Sequence, residues 1–119
     1  MNESTITEAN TIAELPAGHS AYVAGSALAW QPKGERMQVK TLFASPDGRN
    51  RTLLFRLEPG AQSAPHAHEE LEQIYVLEGS FNDGDKLLRT GDHCVRAAGV
   101  MHTAQSSEGA LVLVVYSPA

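Results

Sequence analysis

The sequence predicts an all-β domain, an antiparallel sandwich or barrel, and three observations carry that expectation. Turn signals recur every eight to twelve residues. The runs between them are short, apolar and rich in β-branched or aromatic residues. No amphipathic stretch of helical length separates them, which removes the alternating helix and strand classes.

Taken in order, residues 1 to 20 are polar and weakly patterned, an N-terminal arm or short edge strand ahead of a single domain over 21 to 119. The turn signals are QPKGE (31–35), SPDGRN (45–50), EPGAQ (58–62), FNDGD (81–85), RTGD (89–92), AAGVM (97–101) and SSEG (106–109). Between them the strands are VKTLF (39–43), TLLFRL (52–57), QIYVLE (73–78), HCVRA (93–97) and ALVLVVY (110–116). TLLFRL and ALVLVVY are apolar on both faces, so each is expected to be covered on both sides, by the barrel interior and by a second sheet or a partner subunit. NDGD is explained by a hairpin with Gly84 at positive φ more simply than by a calcium loop.

A chain of 119 residues is long enough to bury roughly two thirds of its unfolded surface without staples. A net charge of -5 with nine scattered Lys and Arg argues against nucleic acid or an anionic membrane as partner. The single cysteine, Cys94, excludes an internal disulfide and reads as a small buried hydrophobe. No basic n-region and no run of about 20 apolar residues is present, so a cytoplasmic location is expected, and the chain lacks serine-hydrolase, P-loop and dinucleotide fingerprints.

The chemistry is concentrated in PHAHEELEQ, residues 65 to 73, which holds two of the five histidines and three of the fourteen acidic residues. Residues two apart on an extended chain share a face, so His66 and His68 can aim at one point, and Glu72 opens the next strand where it can return to the same interior. Two imidazoles and a carboxylate suit a divalent metal. An HxH pair by itself is more often a polar turn. Glu69 and Glu70 read as solvated, Gln73 and Tyr75 as pointing away from Glu72, and Ile74 and Val76 as lining the interior. Met101 is expected in core packing, His19 at the surface, and adjacent His93 and Cys94 on opposite faces.

The wider spacing decides between these readings. Gly60, His66, His68, Glu72 and Gly79 reproduce G(X)5HXH(X)3E(X)6G, and Gly91, Gly99 and His102 follow G(X)5PXG(X)2H(X)3N, with Ala97 in place of proline and Ser106 in place of asparagine. The chain therefore resembles a small single-domain cupin. LAWQPKGERMQVKTLF, RTLLFRLEPGA and EQIYVLEGSF make it most similar to the cupin domain of ChrR-type anti-sigma factors and to related small dioxygenase cupins. The first 20 residues carry no counterpart of the histidine and cysteine cluster of such factors' sigma-binding domain.

The resemblance implies a jelly-roll β-barrel, or double-stranded β-helix, with one divalent transition metal (Fe, Mn, Ni, Cu or Zn) held by His66, His68, Glu72 and His102. It implies a small-molecule ligand, a homodimer, and three classes of function. The first is an oxygenase acting on a small oxygen-bearing substrate. The second is a metal- or ligand-sensing binding module, and the third a non-redox isomerase, lyase or sugar-binding cupin. One barrel hosts many chemistries, so the metal is expected from the motif and the reaction from the site.

Overall fold

The computed structural model describes Leu15 and residues 17–119, so most of the expected arm over 1 to 20 lies outside the described residues. Among the described residues nine strands follow a single turn of 3-10 helix at Gly25–Ala27: β1 (Gln31–Pro32), β2 (Met37–Ala44), β3 (Arg51–Leu57), β4 (Ala61–Gln62), β5 (Leu71–Asp83), β6 (Lys86–Arg89), β7 (His93–Arg96), β8 (Ala104–Ser106) and β9 (Ala110–Ser117). All pairings are antiparallel, in the order β1-β2-β3-β9-β5-β8-β4, with β6 and β7 also on β5. The five expected strands are all present. Four short ones, β1, β4, β6 and β8, were hidden inside turn-rich segments where two to four residues leave no periodicity to read.

The long strand β5 curls the sheet. Its first half pairs with β9 and β7, and Ser80–Asp83 crosses to pair with β6 and β8. A bulge between Val76 and Glu78 and a left-handed Gly79 (φ 76°) make the bend. Only glycine fits there, because a Cβ at Gly79 would overlap the Gly109 carbonyl. β5 and β6 are then joined by the two-residue Gly84–Asp85 hairpin, with Gly84 at φ 61°, as the sequence predicts.

Inward residues alternate with outward ones as period two requires. Leu53, Leu57, Ile74, Val76, Phe81, Val112, Val114 and Tyr116 form the core of the curled sheet. On β9 every second side chain is buried and the others are half-buried. The outward face of β2 and β3 is partly covered by the chain before β1: Trp30 lies against Lys40 and Arg56, and Lys40 Nζ donates to the Gly25 carbonyl. Among the described residues no helix is long and apolar enough to cross a membrane.

Candidate metal centre

Two loop segments are stitched together by backbone hydrogen bonds before any side chain is considered. His66 and His102 exchange both N–H to carbonyl bonds, at 3.0 and 2.9 Å, and Gly99 N–H donates to the His68 carbonyl at 2.7 Å. This binds the HxH stretch to the turn carrying His102, and Gly99 at φ 84° holds that turn although Ala97 replaces proline. Ser106 takes the place of asparagine without loss: its buried hydroxyl donates to the Ser80 carbonyl and accepts from Gly109 N–H.

As a result the three imidazoles converge. Each offers a ring nitrogen within 4.8 Å of the others, with ring centroids 4.9, 4.4 and 5.8 Å apart. Their tautomers follow from their partners. His66 Nδ1–H donates to the Ala64 carbonyl and His102 Nδ1–H to Asp83 Oδ1, both at 2.9 Å, which leaves the Nε2 lone pairs free. The His102 side chain is only 6% exposed, and its Nε2 has no hydrogen-bond partner among the described residues. A buried acceptor left bare is costly, and a cation between the rings would satisfy it.

Glu72 sits beside this set. Its oxygens lie 3.6 Å from His102 Nε2 and 3.7 Å from His68 Nε2, while it accepts from Arg96 Nε at 3.0 Å and from the Tyr116 hydroxyl at 2.8 Å. The sheet register explains these partners. Arg96 on β7, Glu72 on β5, Tyr116 on β9 and Arg51 on β3 are directly opposite one another, a polar row across four strands. Arg96 also grips Asp83 with two bonds at 2.9 and 3.0 Å, so one guanidinium steadies Glu72 directly and His102 through Asp83.

The electrostatics suit a cation. Burial, then the charge of Arg96, holds His102 below the usual histidine range, and burial does the same to His68 against the pull of Glu72, so both rings are neutral near pH 7. Burial would raise the Asp83 carboxyl, but the hydrogen bonds and charge of Arg96 outweigh it and keep Asp83 ionised. Burial and the adjacent Glu72 push the Tyr116 phenol far upward, so it stays a donor. Beside the imidazoles opens a cavity of about 760 Å³, walled by Met37, Val39, Leu53, Phe55, Ile74 and Val114, with Arg51 and Lys33 also on its lining.

All four expected ligand residues are thus brought to one place, the three histidines as a tight set and Glu72 against two of them. Gln73 and Tyr75 point outward and Ile74 lines the cavity, as expected; His93 bonds Gln73 on the outer face, away from Cys94. Two expectations are corrected. Glu70 is not free in solvent but pairs with Arg51 at 3.4 Å, and Met101 is 62% exposed because the bridge that turns His102 inward turns its neighbour out. Asp83, Arg96, Tyr116 and Arg51 went unpredicted. The only available signal was alternation, which puts Arg96 on the same face as Cys94 in HCVRA.

A family model for the ChrR cupin-like domain matches residues 19–119. The chain belongs to that family. Among solved structures, this cupin is similar to KdgF from Halomonas sp. at 27% identity and TM-score 0.74, covering 85% of this chain and 96% of that one. The anti-sigma factor ChrR, solved in complex with Rhodobacter sphaeroides SigE, aligns at 22% identity and TM-score 0.67, covering 76% of this chain and 49% of that one. The polyketide cyclase RemF from Streptomyces resistomycificus aligns at 23% identity and TM-score 0.71, covering 82% and 79%. The last two establish the shared fold. No curated protein sequence matches the chain.

Proposed function

We propose that this cupin is a mononuclear metal enzyme in which His66, His68 and His102, with Glu72 beside them, hold one divalent transition ion. When bound, the ion supplies Lewis acidity and, if it is iron, a route to dioxygen. The observation that carries the reading is the bare, buried His102 Nε2 facing two further imidazoles at an apolar cavity. The chain's own residues do the rest. Asp83 fixes the His102 tautomer, Arg96 compensates the two carboxylates, and the apolar walls exclude water from a small oxygen-bearing substrate. The reaction we favour is oxygenation, tested by the oxygen uptake of iron-loaded protein against a panel of diketones, phenols and keto acids. Absence of uptake across that panel contradicts it.

A non-redox, metal-assisted reaction is the second reading, supported by the fold shared with a polyketide cyclase. It predicts turnover that survives zinc substitution and the exclusion of air. A sensing role by analogy with ChrR requires a stable protein partner, and recovery of one in a metal-dependent pull-down would favour it. We further propose a homodimer formed through the outward face bearing Tyr75, Leu77 and Val95.

A further inference from the structure

We propose that the cavity beside the imidazoles takes an organic monocarboxylate with an apolar body, and that Arg51 receives its carboxylate. The proposal rests on the metal-enzyme reading and names the substrate class of the same site.

Arg51 closes the polar row that begins at Arg96, directly opposite Tyr116. Its guanidinium lies 4.2 Å over the Tyr116 ring, and the Tyr116 hydroxyl is 3.3 Å from His68 Nε2, so Arg51 stands one ring away from the metal ligands. This stacking orients a planar cation on the cavity wall. The cation is underused. Among the described residues it makes one ion pair, to Glu70, at 3.4 Å near the limit of a hydrogen bond, and its buried Nε has no partner there. A planar fork held in this way matches a carboxylate better than any neutral oxygen.

Charge and lining narrow the class further. Arg51 and Arg96 pair with Glu70, Glu72 and Asp83, and Lys33 on the lining brings the set to three charges of each sign, so a bound divalent ion leaves two positive charges over and an anion is the natural complement. Apolar side chains, Met37, Val39, Leu53, Phe55, Ile74 and Val114 among them, form the walls, and a bare inorganic anion would leave them wet. The volume, about 760 Å³, fits a ligand well beyond a few atoms.

The test is calorimetric titration of zinc-loaded and metal-free protein with 4-phenylbutanoate and with 4-phenylbutanamide. The acid is expected to bind the zinc-loaded protein about tenfold or more tightly than the amide, with part of that preference surviving in the metal-free protein. Arg51→Gln should bring acid and amide to within about threefold in the metal-free protein while zinc still binds at one per chain. Arg51→Lys, which keeps the charge and loses the fork, should retain an intermediate preference and separates recognition from packing on Tyr116. Equal binding of acid and amide by the wild type, or acid binding by Arg51→Gln equal to wild type, overturns the proposal. A wild type that refuses zinc but prefers the acid through Arg51 sinks the metal reading and leaves carboxylate recognition standing.

Discussion

Arg96 and Glu72 stand directly opposite each other on β7 and β5, joined at 3.0 Å with the Arg96 side chain 8% exposed and that of Glu72 5%. Because Arg96 also holds Asp83, its removal leaves two largely buried carboxylates without their guanidinium. Breaking a buried ion pair on one side typically costs about 3–5 kcal/mol. Arg96→Met is expected to lower the unfolding free energy by a few kcal/mol in urea, about 3 by that measure. A change near zero contradicts the role given to Arg96.

Asp83→Asn isolates the second arm of that network. It keeps the volume but weakens the acceptor that fixes His102 Nδ1–H, so zinc affinity should fall about 10- to 100-fold. Unchanged affinity by competition with a chelator would show that Asp83 does not orient the ligand.

Metal-free stability should fall with acid in a defined window. Burial holds the His68 and His102 rings below the usual histidine value, so the unfolded chain binds the proton first as pH drops through about 6.5. Stability is therefore full above that pH and declines below it. Asp83, held below the usual carboxylate range, adds a second loss at lower pH as its folded form protonates. A urea midpoint independent of pH between about 7 and 5 contradicts this assignment.

Gly79→Ala is expected to destabilise the fold by about 2 kcal/mol or more, because the residue is left-handed and its new methyl group meets the Gly109 backbone. Gly48→Ala, also left-handed but with open space around it, should cost less. Thermal melts of the two variants in parallel check the difference, and equal costs would argue that steric contact adds nothing.

The outward row Leu54, Leu113 and Tyr75 is in register across β3, β9 and β5, and Val95 beside it is 59% exposed. Light scattering at micromolar concentration should give a dimer mass, reduced to monomer by Tyr75→Asp with Val95→Lys. A monomeric wild type contradicts the proposed interface.

The strands were legible because turn residues bracket runs with period-two or fully apolar patterning, and the histidines because HxH and Glu72 are local. Their register with His102 came from motif spacing, which the backbone bridge between His66 and His102 now explains. The second layer was not legible. Arg96 and Tyr116 meet Glu72, and Arg51 meets Tyr116, only through strand pairings between residues 24 to 65 positions apart in sequence, and nothing in a single strand announces its neighbour's register. Asp83 was concealed in a turn motif that is also the end of β5.

Zinc titration of the purified, untagged protein, with His68→Ala and His19→Ala alongside, tests the central claim most directly. The account predicts saturation near one ion per chain for the wild type and for His19→Ala, whose histidine is exposed and outside the converging set, and loss of binding in His68→Ala. Failure of the wild type to bind, or binding that His68→Ala leaves intact, would contradict it.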